Sequence, residues 1–304
     1  MECISVFDML KIGVGPSSSH TLGPWRAAER FIAELREKKV FDSVTNIQVD
    51  LYGSLSLTGK GHATDLAIML GLTGADPVTI PIENMSGIVK SIQESEKLLL
   101  NHSREISFDP KLDIIFKKEF LPFHANGMTF KANLSNGKQI KETYYSIGGG
   151  FVVKEELKRS KKKLQVFKSL PFAIENGAEL LAICKKENKS ISEVVLENER
   201  FLKSDLEIDL GLRHIWDTML ECMYIGCHTE GNLPGGLNVR RRAYDTHQKI
   251  KGDLPYSNPQ EWMYTIRHTE VKFRSILKWV SCFALSVNEV NASLGRVVTA
   301  PTNG

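Results

Sequence analysis

Between Val153 and Phe167 the chain places six cations, Lys154, Lys158, Arg159, Lys161, Lys162 and Lys163, among few residues that could join a core. A packed interior does not absorb that density of charge, so the run divides the chain and a fold has to build one core on each side of it. Such a run usually serves as a solvated linker and less often as a binding patch. Across it the hydrophobic pattern changes from alternating strand and helix periods to helix periods alone. With 304 residues, 42% hydrophobic and 25% charged, the chain has material for two cores. The expectation is an α+β domain with a mixed or antiparallel sheet and helices over residues 1–153, a basic linker over 154–170, and a mostly α-helical domain over 171–304.

In the first part, Ser17 to Ser19 offer caps for a helix from Thr21 to about Lys39, with Trp25, Ala28, Phe31, Ile32 and Leu35 at helical spacing. Val44 to Tyr52 reads as a strand, because Ile47, Val49 and Leu51 alternate with Gln48 and Asp50. Further helices are expected from near Gly61 to Gly71 and from about Ser86 to Leu100. Strand-like runs flank Ser135-Asn136-Gly137, and Asn-Gly is a strong signal for a tight hairpin turn. Beyond the basic run, Ser190 and Glu193 form a capping box, and amphipathic stretches cover about Asp205 to Tyr224 and Glu261 to Val290.

Charge and composition exclude several roles. A net charge of +3 is small for this length and gives no reason to expect nucleic acid or an anionic membrane as partner. No run reaches the roughly 20 apolar residues of a membrane span, and Glu2 and Asp8 stand where a signal peptide would be basic. The five cysteines, Cys3, Cys184, Cys222, Cys227 and Cys282, are odd in number and scattered, as suits reduced thiols in a cytoplasmic protein.

Several motifs can carry chemistry. Gly13 to His20 puts Ser17, Ser18, Ser19 and His20 at a loop-to-helix junction, where exposed N–H groups can hold a carboxylate; alternatively one serine caps the helix and the others are solvated. Gly53 to His62 runs a strand into a Gly-rich turn presenting Lys60 and His62, either a proton carrier once desolvated. It is no Walker A loop, since Gly53 and Gly59 enclose five residues and Gly61 follows Lys60. Pro122 to Gly127 carries Asn126, and Tyr144 to Gly150 carries Ser146 before Gly148, Gly149 and Gly150, which permit close backbone approach to a ligand or a hinge. Cys222, Cys227 and His228 lack the second ligand pair of a zinc site and read as buried helix thiols. The last five residues, Ala300 to Gly304, form a turn sequence.

Taken together and in this order, Gly15 to Pro24, Gly53 to Asp65, His124 to Gly127, Tyr144 to Phe151, Glu230 to Arg242 and Ala300 to Gly304 resemble the iron–sulfur L-serine dehydratases in their single-chain form, with beta-type and alpha-type domains fused. The resemblance implies an L-serine ammonia-lyase that makes pyruvate and ammonia. One iron of a [4Fe–4S] cluster would act as Lewis acid on the 3-hydroxyl while a base takes the α-proton.

It also implies catalytic roles for His62, His20 and Lys60, with His62 the favoured base. Ser17, Ser18, Ser19, Asn126, Ser146, Gly148, Gly149, Gly150, Thr302 and Asn303 would bind substrate. The family's three cluster cysteines follow its Ala-Pro-Thr-Asn-Gly segment, so none of the five present is assigned as a metal ligand, and the helical domain is expected to be incomplete and the chain alone inactive. L-serine is the expected partner, with a homodimer as a possible assembly. Two other readings stand beside this one: a pyridoxal-phosphate dehydratase with Gly148 to Gly150 as phosphate cradle, and a serine-sensing module like the regulatory domain of some phosphoglycerate dehydrogenases.

Overall fold

The computed structural model describes residues 5–155, 170–234, 238–269 and 273–299. Its N-terminal part runs α1 (Val6–Met9), β1 (Lys11–Val14), a π-helical turn (Ser18–Leu22), α2 (Gly23–Glu37), β2 (Val44–Leu51), α3 (Ser54–Thr58), a 3-10 turn (Gly59–His62), α4 (Thr64–Thr73), α5 (Ile82–Ser95), β3 (Lys97–Leu100), β4 (Arg104–Ser107), α6 (Pro110–Asp113), β5 (Ile114–Phe116), β6 (Gly127–Leu134), β7 (Gln139–Gly148) and β8 (Phe151–Lys154). After the basic run come α7 (Gly177–Glu187), α8 (Ile191–Leu202), α9 (Asp205–His228), α10 (Ala243–Lys251), α11 (Pro259–His268), α12 (Phe273–Ala292) and β9 (Arg296–Thr299). This is an α+β part followed by a mostly helical one.

A mixed sheet of order β3-β4-β2-β6-β7-β8, with β5 beside β2, organises the first part. β2 runs parallel to β4 and β5 and antiparallel to β6. Ile47, Val49 and Leu51 are fully buried, as the alternation requires, and they meet Trp25, Phe31, Leu35 and Phe130 in one continuous core. Asp50, on the other face, is also buried, because Lys131 of β6 covers it with an ion pair of 2.6 Å. α2 is anchored by its own tryptophan, whose indole N–H donates to the Ala75 carbonyl at 2.7 Å.

The hairpin at Asn136-Gly137 forms, with one difference. Only Gly137 takes positive φ (78°), while the Asn136 side chain accepts a hydrogen bond from the Lys138 N–H at 3.0 Å. The asparagine shapes the turn through its side chain rather than through a left-handed backbone.

Three element boundaries depart from the sequence reading. The helix expected over Ser86 to Leu100 is Ile82–Ser95; Glu96 turns left-handed (φ 53°) and Lys97–Leu100 is a strand. Leu98 and Leu100 are buried and Lys97 and Leu99 exposed, a period of two that the surrounding helical pattern hides. The helix expected from Gly61 begins at Thr64, behind the 3-10 turn and a left-handed Ala63 (φ 52°). The stretch Glu261 to Val290 lies in two helices, with an extended Thr269 capping the first. Of the basic run, residues 156–169 lie outside the described residues; Lys154 belongs to β8 and bridges Glu142 at 2.8 Å and also Glu34.

The two parts meet through backbone. β1 pairs antiparallel with β9, from Lys11 opposite Thr299 to Val14 opposite Arg296. Nearby, the buried Glu199 carboxylate of α8 accepts from Ser5 Oγ at 2.8 Å and Val6 N–H at 2.7 Å, fixing the start of α1 on the helical part.

Inside the helical part, Trp262 donates its indole N–H to His247 Nε2 at 3.0 Å, both side chains being fully buried. Burial, with His228 and Lys251 adding repulsion, pushes the His247 pKa down to about 4. The unfolded chain therefore binds this proton first as pH falls, so the stability is present above pH 6.5 and is lost between there and pH 4. We expect the helical part to lose about 2 kcal/mol between pH 7 and pH 5 in urea unfolding followed by tryptophan fluorescence. A His247→Gln chain should show a flatter profile, and an unchanged slope would count against this assignment.

Candidate active site

Four loops at the ends of β1, β2, β6 and β7 converge, and each touches the next. The first is Gly15 to Leu22. Ser17 is its cap residue, and its Oγ accepts from the His20 N–H at 3.2 Å. The second, Gly53 to Thr64, is laced to it by two reciprocal bonds. Thr21 Oγ1 donates to the His62 carbonyl at 2.8 Å, and Thr64 Oγ1 donates to the His20 carbonyl at 2.6 Å. The third, residues 122–127, receives the Ser54 N–H on its Ala125 carbonyl at 2.9 Å. The fourth is tied to the third twice, through Asn126 Nδ2 to the Ser146 carbonyl at 3.1 Å and Ser146 N–H to the Asn126 carbonyl at 3.0 Å.

The circuit closes where the fourth loop returns to the first. Ser146 Oγ lies against Gly23, so near that a Cβ there would fall 1.9 Å from it, and Gly150 packs on Leu22. Gly148, Gly149 and Gly150 all have positive φ (96°, 58° and 72°), which explains three glycines in a row.

The closed circuit puts the imidazoles of His20 and His62 side by side, with ring centroids 4.9 Å apart. His62 Nδ1 is 2.9 Å from the Thr58 carbonyl. A carbonyl can only accept, so Nδ1 carries the proton and the lone pair of the neutral ring sits on Nε2. His20 is held at both nitrogens by hydroxyls, Ser19 Oγ on Nδ1 at 2.9 Å and Ser54 Oγ on Nε2 at 3.0 Å. Burial first, and the neighbouring His62 second, hold the His20 pKa below the ordinary histidine value, against a raising contribution from Ser54.

The remaining expected residues are placed as follows. Ser17 and Ser19 are half-buried, whereas Ser18, Asn126 and Ser146 are buried, and Ser146 Oγ has no hydrogen-bond partner among the described residues. Lys60 is exposed, with its ammonium 5.3 Å from the Phe116 ring centroid. Thr302 and Asn303 lie outside the described residues. The sequence reading missed Ser54, Thr21 and Thr64, although all three lie in the quoted segments; a hydroxyl directly after a strand-ending glycine was the available signal for Ser54. It also missed Asn291 of α12, which reaches the first loop and donates to the Pro16 carbonyl at 3.0 Å.

Sequence profiles of the serine dehydratase beta chain and alpha chain match residues 5–157 and 186–304. The chain belongs to the serine dehydratase family, of the iron–sulfur type. It is 44% identical to L-serine dehydratase 1 of Escherichia coli (strain K12) over 99% of its own length and 63% of that protein's. Against the L-serine dehydratase of Haemophilus influenzae the figures are 42%, 99% and 63%, and against that of Helicobacter pylori 36%, 100% and 64%. The chain thus spans about 63% of the length of the curated relatives it matches.

The donors of the dehydratase fold described here do not fit an iron–sulfur cluster. Cys227 of α9 and Cys282 of α12 face each other with sulfurs 3.7 Å apart, and Cys222 sits in a separate apolar cluster with Val290 and Val297. Burial raises the Cys222 thiol to about 12, and the hydrogen bond between Cys227 and Cys282 raises Cys227 while lowering Cys282, so at most one of these three thiols is eased toward the thiolate that ligation needs. His228 is engaged at both nitrogens, by the Tyr224 carbonyl at 2.6 Å and Tyr256 OH at 2.8 Å. Among the described residues, no three His, Cys, Asp or Glu side chains gather as a metal site. Among them also, no helix is long and apolar enough to cross a membrane.

The coupling of the two imidazoles is directly measurable. NMR titration should place the His20 pKa below the ordinary histidine range and move it up in a His62→Gln chain, because one repulsive neighbour is removed. A His20 titration indifferent to that change would mean the rings are farther apart in solution.

Proposed function

We propose that this chain supplies the substrate-binding and proton-abstracting apparatus of an L-serine ammonia-lyase. Loss of the α-proton and the 3-hydroxyl converts L-serine to 2-aminoacrylate and water. The aminoacrylate tautomerises to an imine, and hydrolysis of the imine gives pyruvate and ammonia. In this reading His62 takes the α-proton at Nε2. What supports it is the Nδ1–Thr58 contact, which points the basic lone pair away from the backbone, beside a His20 that burial disfavours as a cation.

His20, held between Ser19 and Ser54, orients the substrate rather than deprotonating it. The Ser17 to Ser19 loop, Asn126, Ser146 and the Gly148 to Gly150 backbone form the polar surround for the carboxylate and amino groups. Lys60 serves as a long-range cation. The family's [4Fe–4S] cluster takes its ligands outside the described residues, so the step read from this chain is the proton transfer. The match of residues 186–304 to the alpha chain favours a lyase over a serine-sensing module.

The test is serine turnover by the cluster-loaded holoenzyme. His62→Ala should lower kcat by about 10²-fold or more, with cluster absorbance intact, in line with a lost general base. Ser54→Ala, which releases one side of His20, should act mainly on KM. The opposite split would make His20 the base.

A further inference from the structure

Behind the ring of loops, a cavity of about 540 Å3 opens between β1, α2, β8 and α9. Most of its wall is apolar, with Ile12, Leu22, Phe151 and Ile215 prominent. Its charged lining has one sign only: Lys11, Arg26 and Arg30 contribute, and no Asp or Glu does. The three cations are not equivalent. Arg26 pairs with Glu29 at 2.8 Å and Asp76 at 3.5 Å, while Arg30 lies 3.6 Å from Glu34 and donates to the Val152 carbonyl at 3.1 Å.

Lys11 has no such partner. Its ammonium rests on the face of Phe151, 3.4 Å from the ring centroid, and no carboxylate among the described residues stands within ion-pair reach of it. Burial lowers its pKa, only partly opposed by Asp8. A ring face is a weaker counterpart for an ammonium than a carboxylate, and Lys11 is only half-buried, so its ammonium stays open to an incoming anion.

We propose that this cavity binds an apolar monocarboxylate, its carboxylate on Lys11 Nζ and its hydrocarbon or aromatic body against Ile12, Leu22, Phe151 and Ile215. One anionic group is specified because one cation lacks a partner; a polyphosphate would have to displace the acids that hold Arg26 and Arg30. An apolar body is specified by the wall, and a volume of about 540 Å3 is far more than serine fills but within the usual range for a ligand pocket. The site is distinct from the ring of loops yet shares a wall with it. Leu22 ends the turn that carries His20 and is wedged between Gly13 and Gly150, where a Cβ would come within 2.9 and 2.8 Å of its Cδ2.

The probe is 4-phenylbutyrate, titrated into this chain by calorimetry and by NMR, with 4-phenylbutyramide as its uncharged counterpart. Saturable binding at millimolar concentration or below is expected, with the amide weaker by about tenfold or more, the value of one charged hydrogen bond. Lys11→Met should weaken the acid to the level of the amide, and Ile215→Trp, which fills the cavity, should abolish both. Circular dichroism and thermal melting establish that each variant is folded. Absence of saturable binding, equal binding of acid and amide, or undiminished binding in a folded Lys11→Met chain would overturn the proposal. The acid-against-amide comparison on the unaltered chain keeps it decidable if a variant does not fold.

Discussion

Two threonine hydroxyls hold the centre of this molecule. Thr21 gives its proton to the backbone of His62, and Thr64 gives its proton to the backbone of His20, so each histidine is fixed by the loop that carries the other. Side-chain to backbone bonds of this kind contribute about 1 kcal/mol each, but here their importance lies in geometry. Because the bonds grip carbonyls, they leave the rings to other partners, Ser19 and Ser54 for His20 and the Thr58 carbonyl for His62, and the rings settle 4.9 Å apart. The sheet core beneath, with Trp25, Ile47, Leu51 and Phe130 fully buried, gives the loops a rigid floor.

From that pair the electrostatics follow. Two imidazoles in contact cannot both carry charge cheaply, and burial disfavours the cation on His20. The Thr58 carbonyl fixes the His62 tautomer and leaves Nε2 as the basic position. The helical part contributes at a distance, through the β1–β9 ladder and through Asn291 on the Pro16 carbonyl, so the loop bearing His20 is braced from both halves of the chain.

Much of this was legible from residues alone, and the limits have physical causes. Ser190 with Glu193 announced the start of α8, since a capping box is local chemistry, and β2 and the Asn136-Gly137 hairpin were equally local. β3 was lost because four residues of period two sit directly behind a helix whose apolar residues, Met85, Val89 and Ile92, blend into theirs. β9 was lost because a four-residue strand at the far end of a helical region has meaning only beside β1, almost 300 residues away. Within the site, the segments carrying His20, His62, Asn126 and Ser146 could be singled out, but the bonds of the first loop to Ser54 and Asn291 are tertiary events with no sequence period.

The central claim is that the structure presents Nε2 of His62 as a proton acceptor. The nitrogen chemical shifts and proton couplings of the His62 ring report its tautomer directly, in selectively labelled protein at a pH where the ring is neutral. This account predicts the Nδ1–H tautomer, and a Thr58→Pro chain, which disturbs that carbonyl, should lose the preference. A neutral His62 ring carrying its proton on Nε2 would contradict it.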